Sequence, residues 1–197
     1  MNKRPHPLDN IFDQYEPQFD ERGYPGIPVA HGTKKPCVKG WTRSGVPPEK
    51  REAWRRRFPN ANIGLLAGPL LSSGRHFAFL DIDLPALVPF VSAVVPLVSG
   101  KAGAKGLTIF CQADAGLKSV KLLPPNGGAP ALEIFLTSRM TVVPPSLHPT
   151  GIHYQWRGKS LLEIEHDELP ILDQGRLELL VFSRTRIHGK SSIAAPI

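Results

Sequence analysis

Apolar and polar positions alternate along the chain in short runs, and turns rich in proline and glycine separate these runs. The clearest run is HFAFLDIDL at 76–84, where every second position is apolar over most of its length. A period of two predicts a β-strand. Similar short runs predict further strands at 27–30, 62–68, 107–112, 131–135, 140–144 and 154–156.

Three segments carry helical signals instead. The segment 47–58, PPEKREAWRRRF, has prolines and Glu49 in its first turn and arginines in its last turn, which suits the helix dipole. Further helices are predicted at 85–98, despite Pro89 and Pro96, and at 173–183. Short strands mixed with few helices indicate an α+β (mixed α/β) domain without internal repeats.

Composition narrows the class of protein. The 197 residues suffice for a hydrophobic core, and 18 glycines with 21 prolines favour turns and short strands over a helical bundle. The two cysteines, Cys37 and Cys111, do not form a CxxC pair, which argues against a disulfide framework or a cysteine zinc site. Without a signal-like apolar core at the N-terminus or a run of about 20 apolar residues, we expect a cytoplasmic protein and no membrane partner.

The charge balance favours an anionic partner. Lysine and arginine total 24 against 17 acidic residues, a formal net charge of +7. A basic surface of this kind suits nucleic acid, nucleotides or a membrane surface.

Three acidic residues form the sharpest candidate site. Asp81 and Asp83 are two positions apart on a predicted strand, so their side chains share one face and repel each other. Glu133 lies between apolar residues of another predicted strand. Such a group is typical of a cage for two divalent ions, although acids at a strand end or on a half-exposed strand can also simply face solvent.

Two loops supply candidate contacts to phosphate. Lys101 and Lys105 lie in SGKAGAKG, which lacks the order of a Walker A motif and would otherwise be a flexible basic turn. Ser146 and His148 follow a Pro-Pro turn. They can grip a phosphate or sugar, or merely cap backbone groups of the turn.

In order along 27–170, these motifs resemble the bifunctional DNA primase/polymerase (prim-pol) domain of the archaeo-eukaryotic primase superfamily, of phage or mobile-element type. The resemblance lies in IPV…GTKKPCVKGW, AWRRRFPNANIGLLAG, FAFLDID, GKAGAKGLTIF, LEIF and VVPPSLHPTGIHYQW. It implies a primase-like core, with an RRM-like sheet carrying the acids and a smaller N-terminal α/β unit. We expect an irregular arm at 1–26, the catalytic domain at 27–170, and a C-terminal helix with a flexible tail at 171–197.

The resemblance also implies roles for the acidic and basic residues. Asp81, Asp83 and Glu133 would be catalytic and hold two Mg²⁺ or Mn²⁺ ions. The family's second motif commonly carries a histidine, but AKGLTIF has none. Lys105, with Lys101 nearby, would then contact the triphosphate of the nucleotide. Ser146 and His148 complete the predicted nucleotide-binding set.

The implied activity is metal-dependent, template-directed nucleotidyl transfer, for primer synthesis or extension in replication of a phage, plasmid or other mobile element. The expected partners are template DNA, primer, dNTP or NTP, and a helicase on the same or another chain. Arg55, Arg56 and Arg57 would track the template backbone.

Two alternatives remain open. A non-catalytic DNA-binding or replication-initiation module would explain the missing histidine. An Asp-x-Asp glycosyltransferase would use the acids on a nucleotide-sugar, but it leaves PPSLHPTGIHYQW unexplained.

Overall fold

A computed structural model describes residues 10–42, 47–124 and 127–187, with side chains up to residue 182. Within these residues the chain forms helices and strands in mixed order. The helices are α1 (Ile11–Glu21), α2 (Pro48–Arg57), α3 (Val88–Val94) and α4 (Gln174–Ile187). The strands are β1 (Gly26–Val29), β2 (Asn62–Leu66), β3 (His76–Ile82), β4 (Ser99–Ala102), β5 (Leu107–Ala113), β6 (Val120–Leu122), β7 (Leu132–Phe135), β8 (Met140–Val143), β9 (Gln155–Gly158) and β10 (Ile171–Leu172).

The strands build two sheets. The smaller sheet has the order β1-β2-β8, and the seven-stranded sheet has the order β6-β7-β3-β5-β4-β9, with β10 paired to β5. Except for the parallel β10–β5 pair, the named strands pair antiparallel. The predicted α+β class is confirmed.

The central strand β3 separates two layers of core. Ala78, Leu80 and Ile82 face one side, where they pack in a cluster with residues of α3 and α4. Phe77 and Phe79 face the other side, in a cluster that includes residues of the smaller sheet and of α1. Alternation along the strand thus places apolar side chains on both faces, as expected for a strand buried on both sides.

Aromatic rings fill the layer between the two sheets. The Phe77 and Phe110 rings stack with centroids 5.7 Å apart, and the Phe79 and Phe135 rings lie 5.3 Å apart. Asp81 is the next residue of β3 with the same orientation as Phe79. The sheet therefore carries its first acid at the rim of an aromatic core.

The expected irregular arm is wrong for residues 11–21, which form α1. Ile11, Phe12 and Phe19 are buried in the core between the sheets. Together with Tyr15 they follow a helical spacing, which Pro17 and the acidic residues of the segment obscure. Residues 11–21 are thus part of the folded domain.

The helix predicted at 85–98 is shorter in the structure. A 3₁₀ turn at Pro85–Leu87 precedes α3, which ends at Val94. Val95 has an extended backbone, with φ −124° and ψ 97°. Pro96 explains this end, because a proline disfavours the helical conformation of the residue before it.

Near the C-terminus, α4 overlaps the predicted helix at 173–183 and extends to Ile187. The predicted tail is therefore helical at its start, over residues 184–187, and residues 188–197 lie outside the described residues. Of the helices described, none combines the length and the apolar composition that crossing a bilayer requires.

Candidate active site

Polar side chains form a row across the large sheet, on the side that carries the aromatic core. Asp81 on β3 lies directly opposite Glu133 on β7 and opposite Thr108 on β5. Directly opposite residues of antiparallel strands share a face. The Thr108 hydroxyl donates a hydrogen bond of 2.9 Å to Asp81 Oδ1, which fixes the orientation of that carboxylate.

Asp83 completes an acidic triad with Asp81 and Glu133. One carboxylate oxygen of each residue lies within 4.8 Å of those of the other two. Partial desolvation raises the pKa of the Asp83 carboxyl, and repulsion from Asp81 raises it further. A divalent cation would relieve this repulsion, and the all-oxygen donor set fits a hard ion. The cluster is a possible metal-binding site.

A lysine neutralises one member of the triad. Lys121 on β6 lies opposite Glu133, and its Nζ is 2.6 Å from Glu133 Oε1. The Lys121 side chain is 54% exposed, whereas that of Glu133 is 15% exposed. The ion pair therefore stands at the open edge of the row, next to the acids.

A buried lysine continues the row on the other side of Thr108. Lys101 on β4 lies opposite Thr108 and is only 8% exposed. Its Nζ is 4.7 Å from the centre of the Tyr154 ring. Burial lowers the pKa of Lys101 to about 8, against the opposing effect of Asp81. The loop expected from Lys101 onward is therefore a strand up to Ala102, and its lysine is built into the sheet.

Tyr154 forms the wall beside Lys101. Its hydroxyl is buried, and no described residue offers it a hydrogen-bond partner. Burial, together with a smaller effect of the Asp81 charge, raises the pKa of Tyr154 to about 12. The Tyr154 ring therefore presents its face to the Lys101 ammonium, while the phenol stays protonated at neutral pH.

His148 reaches this wall from the loop after β8. Its ring meets the Tyr154 ring edge-on, with centroids 5.1 Å apart. Its Nδ1 accepts a hydrogen bond from the backbone N–H of Thr150 at 3.2 Å, so the proton of the neutral imidazole is on Nε2. A Cβ at Gly103 would lie 2.9 Å from His148 Cδ2. Only glycine lets the β4–β5 turn approach this closely.

Lys34 adds positive charge to the same region from the loop after β1. Desolvation lowers the pKa of His148, and the charges of Lys34 and Lys101 lower it further. Lys34 also acts on Asp83 by lowering the pKa of that carboxyl. Sequence reasoning did not select Lys34, which lies far from the acids along the chain.

Lys105 lies exposed in the turn between β4 and β5. The turn ends at Gly106, with φ +71°, where a Cβ would lie 2.6 Å from the carbonyl oxygen of Ile82 and 3.4 Å from Asp83 Oδ1. The turn therefore packs against the end of β3. Gly106 lies beside Asp83, and Lys105 immediately precedes Gly106 in the chain.

Ser146 is fully buried. Its hydroxyl accepts a hydrogen bond of 2.9 Å from the backbone N–H of Ile63 on β2. This bond ties the loop after β8 to the small sheet. In this structure Ser146 thus positions the loop that carries His148.

The three predicted DNA-binding arginines of α2 have different surroundings. Arg55 forms an ion pair of 2.7 Å with Glu16, whose side chain is fully buried. Arg56 pairs with Glu52 one helical turn away, and the Arg57 guanidinium lies 5.2 Å from the centre of the Phe58 ring. Arg56 and Arg57 are exposed, whereas Arg55 joins α2 to α1.

Comparison with known proteins identifies the family of the chain. No curated protein matches the sequence. The sequence does match the family described as bifunctional DNA primase/polymerase, N-terminal, over residues 18–172. This range includes the acidic triad, Lys101 and His148, and it confirms the resemblance drawn from the motifs. The chain belongs to the Prim-Pol family of bifunctional DNA primase/polymerase N-terminal domains.

Proposed function

We propose that the chain catalyses metal-dependent, template-directed nucleotidyl transfer, in which a dNTP or NTP is added to a primer or to an initiating nucleotide. The observation that carries this proposal is the cross-strand row in which Glu133, Asp81 and Thr108 adjoin the buried Lys101. The acids suit divalent ions and the lysine suits the phosphates of a nucleotide. Family membership supports DNA and nucleotides as substrates.

Asp81, Asp83 and Glu133 would hold Mg²⁺ or Mn²⁺. When bound, such ions lower the pKa of the attacking 3′-hydroxyl and neutralise charge on the triphosphate. The Thr108 hydroxyl keeps Asp81 in one orientation, so the ligand is positioned before the ion arrives. A preorganised site of this kind loses little free energy to rearrangement during the reaction.

The basic residues of the proposal act on the triphosphate. Lys101 is held by the sheet and by the Tyr154 ring, so it offers a positive charge with little side-chain entropy left to lose. Lys105 and Lys34 supply further positive charges from two exposed loop positions. His148 donates a hydrogen bond to the nucleotide from Nε2. This contact would replace the one made by the second-motif histidine of the family, which this sequence lacks.

Exposed arginines on α2 are the proposed contacts to the template backbone. Arg56 and Arg57 are exposed to solvent, whereas Arg55 forms an ion pair with Glu16. Replication of a phage, plasmid or other mobile element is the proposed context. A helicase partner stays a prediction.

A primer-extension assay tests the proposal directly. Wild-type protein is given primed and unprimed templates with dNTPs or NTPs, and with Mg²⁺ or Mn²⁺. The double variant Asp81→Asn, Asp83→Asn keeps the side-chain volumes and removes both charges. We expect extension to fall by more than about a hundredfold, because the metal ligands are lost.

DNA binding by the double variant should persist, because affinity for the backbone comes from lysines and arginines. Asp13→Asn is a matched control, since Asp13 is exposed on α1, outside the acidic triad. Salt-dependent DNA binding by a wild-type protein that extends no primer under any of these conditions would favour the non-catalytic module instead.

A further inference from the structure

A groove begins at Lys121, beside the acidic triad, and follows the turn between β7 and β8. A cavity of about 250 Å³ is lined by Lys121, the ion-pair partner of Glu133, and by Phe135. A larger cavity of about 640 Å³ adjoins it. Both are lined by Thr137, Ser138 and Arg139, so the two cavities meet at this turn. We treat them together as one groove.

The charged side chains that line this groove are cationic. They are Lys121 in the smaller cavity, Arg51 in the larger one, and Arg139 in both. Among the described residues, no aspartate or glutamate lines either cavity. Lys121 and Arg51 are ion-paired with acids outside the two cavities, and Arg139, between them, favours an anionic ligand.

Arg139 and Arg51 differ in whether they form an ion pair within the protein. Arg139 is exposed, and no described residue forms a hydrogen bond or ion pair with its guanidinium. Arg51 pairs with Asp20 at 3.1 Å, yet its Nε is buried without a partner. Among the described residues that line the larger cavity, Arg139 is thus the cation whose charge is not already used in an ion pair.

An aromatic surface lies at the far end of the groove. Trp41 lines the larger cavity. Its side chain is half-buried, because it also packs against the apolar cluster that contains Ile27 and Val29. A tryptophan fixed from behind with an accessible edge or face is a platform on which a nucleobase can stack.

The length of the groove suits several nucleotides. Lys121 lies opposite Glu133, and Thr137, which lines both cavities, is four residues after Glu133 in the chain. An extended chain of four residues spans about 13 Å. Stacked nucleotides are spaced about 3.4 Å apart along one strand, so about four of them reach the larger cavity, and one more can lie on Trp41.

We propose that this groove binds the unpaired single strand of a DNA template, with one base stacked on Trp41 and one phosphate held by Arg139. The strand then passes Lys121 and enters the site at Glu133. This inference rests on the proposed polymerase function for the role of the strand. Binding of the strand itself is a separate property that can be measured without catalysis.

The experiment measures binding of labelled oligothymidylates of 2 to 16 nucleotides by fluorescence anisotropy, in the absence of metal. For wild-type protein we expect affinity to rise with length until about five nucleotides or more are present. Trp41→Leu should weaken the long oligonucleotides by about tenfold or more, because stacking is lost. Trp41→Phe should retain most of the affinity, since an aromatic face remains.

A second variant tests the proposed contact between Arg139 and a phosphate of the strand. Arg139→Ala should weaken binding and reduce the slope of log affinity against log salt by about one. Arg157→Ala is the matched control. Arg157 is exposed on β9, opposite Gly100, on the face of the large sheet away from the acidic row. It should leave affinity and slope unchanged.

Three results would overturn the inference. The first is wild-type affinity in Trp41→Leu, and the second is equal losses in Arg139→Ala and Arg157→Ala. The third is thymidine monophosphate that binds as tightly as the long oligonucleotides, which would make the groove a mononucleotide site. Near-UV circular dichroism of each variant checks that it is folded, and Arg139→Ala keeps the inference testable if Trp41→Leu is not.

The outcome separates this inference from the proposed function. If wild-type protein extends primers and Trp41→Leu binds oligonucleotides normally, the groove is wrong and the polymerase stands. If wild-type protein extends nothing and Trp41→Leu and Arg139→Ala lose binding as described, the polymerase is wrong and the groove stands.

Discussion

Lys101 shows at the level of one residue how function and stability oppose each other. Its ammonium is almost fully buried beside Tyr154, and burial lowers its pKa to about 8 from an ordinary value of 10.5. Removing a charge from water costs free energy of folding. A buried cation at this point of the row is therefore maintained against a stability cost.

Lys101→Met tests this cost. At pH 7 the lysine is protonated in both folded and unfolded chains, so the full cost is present and the variant should be more stable by about 2 kcal/mol. Between pH 8 and 10.5 the unfolded chain binds a proton that the folded chain does not, so wild-type stability rises with pH. The advantage of Lys101→Met should shrink across this window, as measured by urea unfolding at pH 7 and pH 9.5.

Nucleotide binding should change in the opposite direction. Lys101→Met should weaken nucleotide affinity by about tenfold, because a charge-assisted phosphate contact is lost. Lys105→Met is the control for stability, since Lys105 is exposed in a turn and should alter stability by less than about 0.5 kcal/mol. A Lys101→Met protein that is less stable than wild type at pH 7 would contradict the argument.

Sequence patterns predicted the acidic residues better than the residues around them. Asp81 and Asp83 stand out because two charges interrupt an apolar strand. Thr108, Lys121 and Lys34 give no such signal, because they reach the site through strand register or loop placement. Register depends on long-range pairing, which a period along one strand does not reveal.

At the scale of elements, α1 and α2 are joined by a buried ion pair. Glu16 of α1 is fully buried and Arg55 of α2 is its partner, with Asp20 of α1 3.8 Å from the same guanidinium. Burial raises the pKa of Glu16, although Arg55 opposes this. Breaking such a pair leaves a buried acid without a counterion.

Arg55→Ala should therefore destabilise the fold by about 3 kcal/mol. Arg56→Ala is the matched control, because its ion pair with Glu52 is exposed and should contribute less than about 0.5 kcal/mol. Urea unfolding of the two variants measures the difference. Equal stability of Arg55→Ala and wild type would show that the pair contributes nothing, and would return Arg55 to the predicted DNA contacts.

The elements themselves were predictable to different degrees. Alternation identified β3 and β5, and the proline and charge signals identified α2. The short strands β4 and β6 were missed, because a strand of three or four residues with glycine or lysine has no clear period. The helix α1 was missed because its apolar positions lie among acids and a proline.

At the scale of the whole molecule, the two sheets share one core. The cluster around Phe79 includes Ile63 and Leu65 of the small sheet, Phe110 of the large sheet and Phe12 of α1. Neither sheet can expose this layer without uncovering the other. We expect the described elements to unfold together.

Phe79→Ala should destabilise the protein by about 3–5 kcal/mol, since Phe79 is only 1% exposed and its removal leaves a cavity. The transition should stay single. Tryptophan fluorescence and far-UV circular dichroism should give the same urea midpoint in both proteins. Two separated midpoints in either protein would mean that the sheets have independent cores.

The position of Asp81 directly above Phe79 has a consequence for how such domains can evolve. Within two residues of one strand, the constraint on the sequence changes from keeping the fold to performing the chemistry. A saturation mutagenesis screen along β3 should show this change: substitutions at Phe79 remove the protein from the cell, whereas substitutions at Asp81 leave it abundant and inactive. A lineage can therefore lose or retune the reaction at the rim of the sheet while it inherits the rest of the domain unchanged.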